Sequence, residues 1–216
     1  MYHQPTMARM LVLLLAAVTA ALHLRAELRG EPDRIRWLRP LATALFVLAA
    51  LLAGEAQSGI YKGSVVAGLL LALAADAATI LPDDRNWFRL AAHALSQTAF
   101  ILAFTGDARG VMYPWLGLPF GVYALALYLY LVPALGRRRF VVLIFILLSA
   151  VAAWAGWGRW RLLGGPQTLL GAVAASLVML ASGLRLRDLE GRSPSRGRLA
   201  ALAIYHLGHL LFAWSV

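Results

Sequence analysis

Apolar runs recur almost end to end along this chain, bounded by charges, glycines and prolines. Each approaches the length of about 20 residues that a helix needs to cross roughly 30 Å of hydrocarbon. Eight spans are expected: Met10 to Leu24, Leu38 to Ala53, Ser64 to Leu81, Trp87 to Phe104, Trp115 to Leu135, Phe140 to Trp157, Thr168 to Leu184 and Leu199 to Val216. The connectors are short and polar, so consecutive helices should be antiparallel neighbours. The two longest, Arg25 to Arg36 and Arg185 to Arg198 with its Gly-Arg-Ser-Pro-Ser-Arg-Gly stretch, read as solvated loops. The expected fold is an all-α, polytopic membrane helical bundle, with residues 1–216 forming a single transmembrane domain.

Composition agrees with the pattern. Hydrophobic residues make up 61% of the 216 and charged residues 14%, with a mean hydropathy of +0.72 for the whole chain. A soluble domain could not solvate such a surface. The absence of cysteine excludes disulfides, thiolate nucleophiles and cysteine-held metals. The net charge of +10 does not indicate nucleic acid, because the arginines sit in short loops where they set topology and meet anionic headgroups. Of the 20 Lys and Arg, 15 lie in or beside connectors one, three, five and seven, and five on the other side. The positive-inside rule therefore puts both termini outside and the arginine-rich loops in the cytoplasm, in a bacterial-type inner or plasma membrane. Arg9 and the small residues near Thr19 and Ala20 give the first span some likeness to a cleavable signal peptide. The five arginines that follow act as a stop-transfer signal, so a retained helix is expected.

Polar side chains inside the spans carry the candidate chemistry. Asp76 lies about one and a half turns from the cytoplasmic end of span three, where a lone carboxylate costs roughly 2.5–3.5 kcal/mol. It needs a partner or a proton. Arg39, beside Pro40 at the start of span two, is the natural partner, and alternatively a ligand for lipid phosphate. His93 and Gln97 share a face of span four, as Tyr205 and His209 do in span eight, where His206 also stands. Interhelical hydrogen bonding is the ordinary use of each taken singly. His206 and His209 lack an acidic companion and a third ligand, so neither metal nor another cofactor is expected. Gly68 to Asp76 and Gly171 to Met179 echo one another weakly, which close helix packing explains as well as duplication does. Asp76, Arg39, His93 and Gln97 all fall in the cytoplasmic half, which suggests a cavity for an amphiphile with its headgroup towards the cytoplasm.

These motifs resemble the YhhN family of integral membrane proteins, which includes the lysoplasmalogenases. Arg39-Pro40-Leu41 stands for the family's Lys-Pro-Leu, and Gly68-Leu69 and Asp76 keep the ends of its Gly-Leu-x-x-Ser-x-x-Gly-Asp. The family's His-x-x-Tyr and following Phe fall on Gln97, Phe100 and Phe104, with His93 one turn earlier as a substitute. Its second acid, in a Ser-Asp pair, aligns with Ala181-Ser182, and its closing Tyr-Tyr-x-x-Gln appears as Tyr205-His206-Leu207-Gly208-His209.

The resemblance implies an eight-helix bundle that hydrolyses the vinyl ether of lysoplasmalogens to fatty aldehyde and glycerophospho-alcohol. Such chemistry pairs an acid with a base. Asp76 would supply one and His209 the other, with Arg39 on phosphate and Gln97, Tyr205, Ser182 and His93 placing water and headgroup. The partners expected are a lysophospholipid-type amphiphile and the bilayer. Two other functions remain open: a catalytically inactive relative that binds or senses lysolipids, and a small proton-coupled transporter using Asp76 and the histidines.

Overall fold

The computed structural model describes residues 6–54, 58–80, 86–107, 112–188 and 195–216. Among them stand eight α-helices and no strand: α1 (Met7–Arg29), α2 (Pro32–Leu51), α3 (Gly59–Ala77), α4 (Asn86–Gly106), α5 (Pro114–Leu135), α6 (Arg139–Leu163), α7 (Pro166–Asp188) and α8 (Ser195–Ser215). They coincide with the eight expected spans. Five of them, α1, α3, α5, α6 and α7, are long and apolar enough to cross a membrane by length and composition. The others, α2, α4 and α8, are 20 or 21 residues long and carry Arg39, His93, His206 and His209 in their apolar sequences.

Most helices outrun their apolar stretches, because hydropathy marks the part immersed in lipid while arginine remains a good helix former. This corrects the expected loop at Arg25 to Arg36. α1 continues to Arg29 and ends at Gly30, whose φ of 65° is the left-handed cap conformation. Its amide bonds to Glu27 O at 3.3 Å, and Glu31 N bonds to Ala26 O at 3.1 Å. Pro32 then opens α2, its fixed φ suited to a first turn. The expected loop at Arg185 to Arg198 is shortened likewise, since α7 runs to Asp188 and α8 begins at Ser195. Residues 189–194 of that stretch, and Leu81 at the expected end of span three, lie outside the described residues.

Helices α3 and α4 run antiparallel, since Gly68 meets α4 at Ser96 and Phe100 while Gly106, further along α4, meets Ile60 near the start of α3. Ser96 Oγ of α4 donates to Gly68 O of α3 at 2.8 Å, and Trp157 Nε1 of α6 to Ser176 Oγ of α7 at 2.9 Å. Small residues let the helices close up. A Cβ on Gly68 would lie 2.5 Å from the Phe100 ring, and one on Gly208 2.7 Å from Val178. The core is accordingly rich in alanine, with phenylalanines such as Phe46, Phe100, Phe104 and Phe212 filling the remaining space. Phe100 and Phe212 stack with centroids 4.0 Å apart. Leucines and valines point outward along α1 and α5, as a lipid-facing surface requires.

Helix α1 packs into the bundle through Leu13, Ala16 and Ala20, against α2 and α8. Arg9 Nη2 donates to Ala213 O at 2.8 Å and Trp214 O at 3.1 Å, satisfying carbonyls at the end of α8. At this same end Arg159 of α6, 1% exposed, grips Asp107 with Nε at 3.0 Å and Nη2 at 2.8 Å. Its guanidinium lies 3.9 Å from the Tyr61 ring centroid, and the Tyr61 hydroxyl bonds Ser215 Oγ at 2.7 Å. Arg159 Nε and Nη2 and the two hydroxyls serve described partners, which makes the group a structural clamp of α3, α4, α6 and α8.

Removing one member of a buried ion pair leaves an uncompensated charge, at a cost of about 3–5 kcal/mol. Asp107→Ala should therefore lower the thermal midpoint of the purified protein in detergent sharply. The double variant Asp107→Leu/Arg159→Met should recover most of the loss, because an apolar pair fills the space without burying charge.

Candidate active site

At the opposite end of the bundle α3 reaches its last turn, and Thr79 Oγ1 donates back to Asp76 O at 2.7 Å. Asp76 is completely buried there. Its Oδ1 accepts from Arg39 Nε at 2.6 Å, and its Oδ2 from Thr43 Oγ1 and Tyr205 OH, each at 2.7 Å. One carboxylate thus ties α2, α3 and α8 together. Arg39 and Thr43 are four apart on α2, which sets both side chains over one face. Pro40, expected in a first turn, is the ninth residue of α2 because the helix already begins at Pro32; it gives the Arg36 carbonyl no amide donor, and its ring adds to the packed interior.

Around this carboxylate the side chains are mostly aromatic and basic. The Tyr205 ring stands edge-on to His93 of α4 at 6.0 Å and tilted on His209 at 4.1 Å between centroids. Arg185 of α7 lies over the same ring with Cζ 4.0 Å from the centroid, and Arg39 Cζ is 5.8 Å away. Both are cation–π distances. His209 Nδ1 lies 2.8 Å from Tyr205 O, one helical turn back. With that nitrogen donating to the carbonyl, Nε2 is the nitrogen left for chemistry.

The expected residues divide into those brought together and those kept apart. Arg39, Asp76, His93, Tyr205 and His209 converge. Gln97 is buried at 3% exposure one turn from His93, but among the described residues its amide makes no hydrogen bond to the Asp76 group. Ser182 stands elsewhere, in a narrow crevice between α5, α6 and α7 with Tyr123, Leu127, Phe145 and Met179. Facing α5 and α6 carries it away from the α8 seam that Arg185 occupies. Tyr205 and His209, at 2% and 1% exposure, are as closely packed as Asp76, so aromatic rings fill the space where an open amphiphile cavity was expected.

Three participants escaped the sequence reading. Thr43 had a signal in its i+4 spacing from Arg39. Arg185, expected in a loop, continues the face of α7 that carries Val178, seven residues earlier and packed on Gly208. His23 had none, because its partner is 183 residues away: its Nδ1 lies 2.8 Å from His206 Nε2, with both rings buried. The outer nitrogens, His23 Nε2 and His206 Nδ1, find no hydrogen-bond partner among the described residues. No group of three or more His, Asp or Glu able to hold a metal occurs among the described residues.

The sequence profile of the YhhN family matches residues 34–216, which takes in every helix of this centre except α1. The chain belongs to the YhhN family. Three relatives named as uncharacterized membrane protein YhhN, from Escherichia coli O6:H1, Escherichia coli O157:H7 and Shigella flexneri, are each 28% identical over 200 residues. The alignment covers 92% of this chain and 95% of each relative. No solved structure matches the chain. In this YhhN protein the basic-Pro element and the aspartate of the third span meet in one ion pair, closed by the tyrosine of the last span.

The histidine pair joins α1 to the helices matched by the family. His23→Leu should destabilise the protein by about 1–3 kcal/mol, since it strands His206 Nε2 in the core. His23→Leu/His206→Phe should cost less than the sum of the two single changes in detergent thermal unfolding. Strict additivity would mean that the two rings are not energetically coupled.

Proposed function

We propose that this YhhN-family protein is a lysoplasmalogenase-like membrane hydrolase, cleaving the vinyl ether of a lysoplasmalogen to a fatty aldehyde and a glycerophospho-alcohol. The observation that carries the reading is the buried Asp76 carboxylate with His209 beside it on the same tyrosine. A bundle built for stability alone gains little from such a group. A buried ion pair contributes less than well-packed apolar side chains of the same volume, so its presence is weak evidence of a structural role.

The roles follow from the hydrogen bonds. A carboxylate offers about four lone-pair sites, and Arg39, Thr43 and Tyr205 occupy three of those on Asp76. One is left to accept a proton from water, which gives Asp76 the part of the base. His209, held through Nδ1, takes the part of the acid through Nε2 as imidazolium. It protonates the vinyl carbon remote from oxygen, leaving an oxocarbenium ion. Water adds to the carbon bonded to oxygen as Asp76 takes its proton, and a hemiacetal forms. In its collapse the hemiacetal hydroxyl returns a proton to His209, Asp76 delivers one to the departing glycerol oxygen, and both groups are restored. The Asp76 end of the bundle faces the cytoplasm in this reading, because the arginine-rich connectors lie at that end. The membrane is the inner or plasma membrane of a bacterial-type cell.

A second reading, a relative that binds lysolipid without turnover, draws on the missing second acid at Ser182 and on its distance from the Asp76 group. One experiment separates the two. Purified wild-type protein should release aldehyde from lysoplasmenyl-ethanolamine or -choline. Asp76→Asn and His209→Ala should each lower that release on the order of 100-fold or more, the range of lost acid–base catalysis. Tyr205→Phe, which keeps the ring and removes one hydrogen bond, should lower it less. A folded wild-type protein that binds the lipid and yields no aldehyde would leave the binding reading in its place.

A further inference from the structure

Among the described residues, the carboxylates paired at the Asp76 end of the bundle are paired with arginines other than Arg185. Asp76 is answered by Arg39 at 2.6 Å, and Glu27 by Arg198 at 3.5 Å. Arg185 has no carboxylate within ion-pair distance among the described residues. Its Cζ lies over the Tyr205 ring, 4.0 Å from the centroid. Its Nη2 is shielded from the outside and meets no hydrogen-bond acceptor among the described residues. A guanidinium nitrogen so placed has lost hydration without gaining a described partner, a costly state that persists in proteins mainly where a ligand or a function compensates.

We propose that Arg185 is the anion-binding residue of this site and holds a phosphate ester, the headgroup phosphate of a lysophospholipid. The inference deepens the hydrolase reading and rests on it for the identity of the lipid. It moves the phosphate-binding part from Arg39, whose Nε is engaged by Asp76, to a residue of α7. A guanidinium suits phosphate because its planar fork gives two parallel donors, and contact with the Tyr205 ring limits in advance the positions open to the fork. The position is chemically consistent as well. Arg185 and His209 touch the same ring from α7 and α8, so a headgroup on the arginine sets the adjoining ether beside the imidazole and the carboxylate.

The test uses binding to the purified full-length protein in detergent, with three probes that contain no vinyl ether: 1-acyl-lysophosphatidylethanolamine, the matched monoacylglycerol and sn-glycerol 3-phosphate. Wild type should bind the lysophospholipid about 10- to 100-fold more tightly than the monoacylglycerol, the range of a lost charged hydrogen bond. Arg185→Gln should abolish that preference while leaving monoacylglycerol binding within about twofold, and Arg185→Lys should restore part of it. Equal wild-type affinity for the two lipids overturns the proposal even if every variant fails to fold, and so does an undiminished preference in Arg185→Gln. Binding of sn-glycerol 3-phosphate as tight as that of the lysophospholipid would also overturn it, assigning the site to a free phosphate ester. Because no probe is hydrolysable at a vinyl ether, absence of aldehyde release defeats the hydrolase reading and leaves this result standing, and the converse holds equally.

Discussion

A carboxylate without water must be given its donors by the protein, and Asp76 receives them from two other helices. Arg39 and Thr43 arrive from α2 and Tyr205 from α8, so α2, α3 and α8 are fixed in both rotation and depth. Turning α2 by one residue, about 100°, would carry Arg39 and Thr43 off the carboxylate together. In a bilayer this constraint weighs more than it would in water, because apolar contact between helices competes with equally apolar lipid and specifies little. The remaining contacts of the centre follow from it. Once Tyr205 is anchored through its hydroxyl, its ring is the surface on which Arg185, His93 and His209 assemble.

The two ends of the bundle use buried arginine in different ways. Arg159 is gripped by both oxygens of Asp107 and lies over the Tyr61 ring. Such a group holds helices together and offers nothing to a ligand. Around Asp76 only Arg39 pairs with the carboxylate, while Arg185, His93 and His209 gather on the Tyr205 ring, and Arg185 retains an unused donor. Satisfied polar networks stiffen a structure, while incompletely satisfied ones are where binding and catalysis are found. That difference, and not burial of charge as such, distinguishes the candidate site from the clamp.

The first helix stands outside the family match and is nevertheless integral to the bundle. Arg9 satisfies carbonyls at the end of α8, His23 meets His206, and Glu27 pairs with Arg198, so three contacts run down the antiparallel seam between α1 and α8. Since α8 also carries Tyr205 and His209, α1 supports from behind the helix on which the centre depends.

Much of the architecture was legible in the residues themselves. The lengths of the apolar runs counted the helices, because crossing a bilayer demands a minimum of apolar chain whatever the helices pack against. The cost of a lone carboxylate in a span marked Asp76 as partnered, and the basic residue at the matching depth of the preceding span named Arg39. Tyr205 and His209 shared a face by spacing alone. Contacts between distant segments had no such trace: His23 with His206, Arg159 with Asp107, and Arg185 over Tyr205 depend on which helix lies beside which. Periodicity describes one helix at a time and does not encode that neighbourhood. Ser182 shows the same limit from the other side, since alignment gave its position along α7 and only the packing decided that it faces α5 and α6. Chain-local chemistry determined how many helices there are and which polar residues each must bury. Tertiary structure decided which of those residues meet, because in lipid the choice of neighbour rests on close packing and on satisfying buried polar groups, and both are properties of helix pairs.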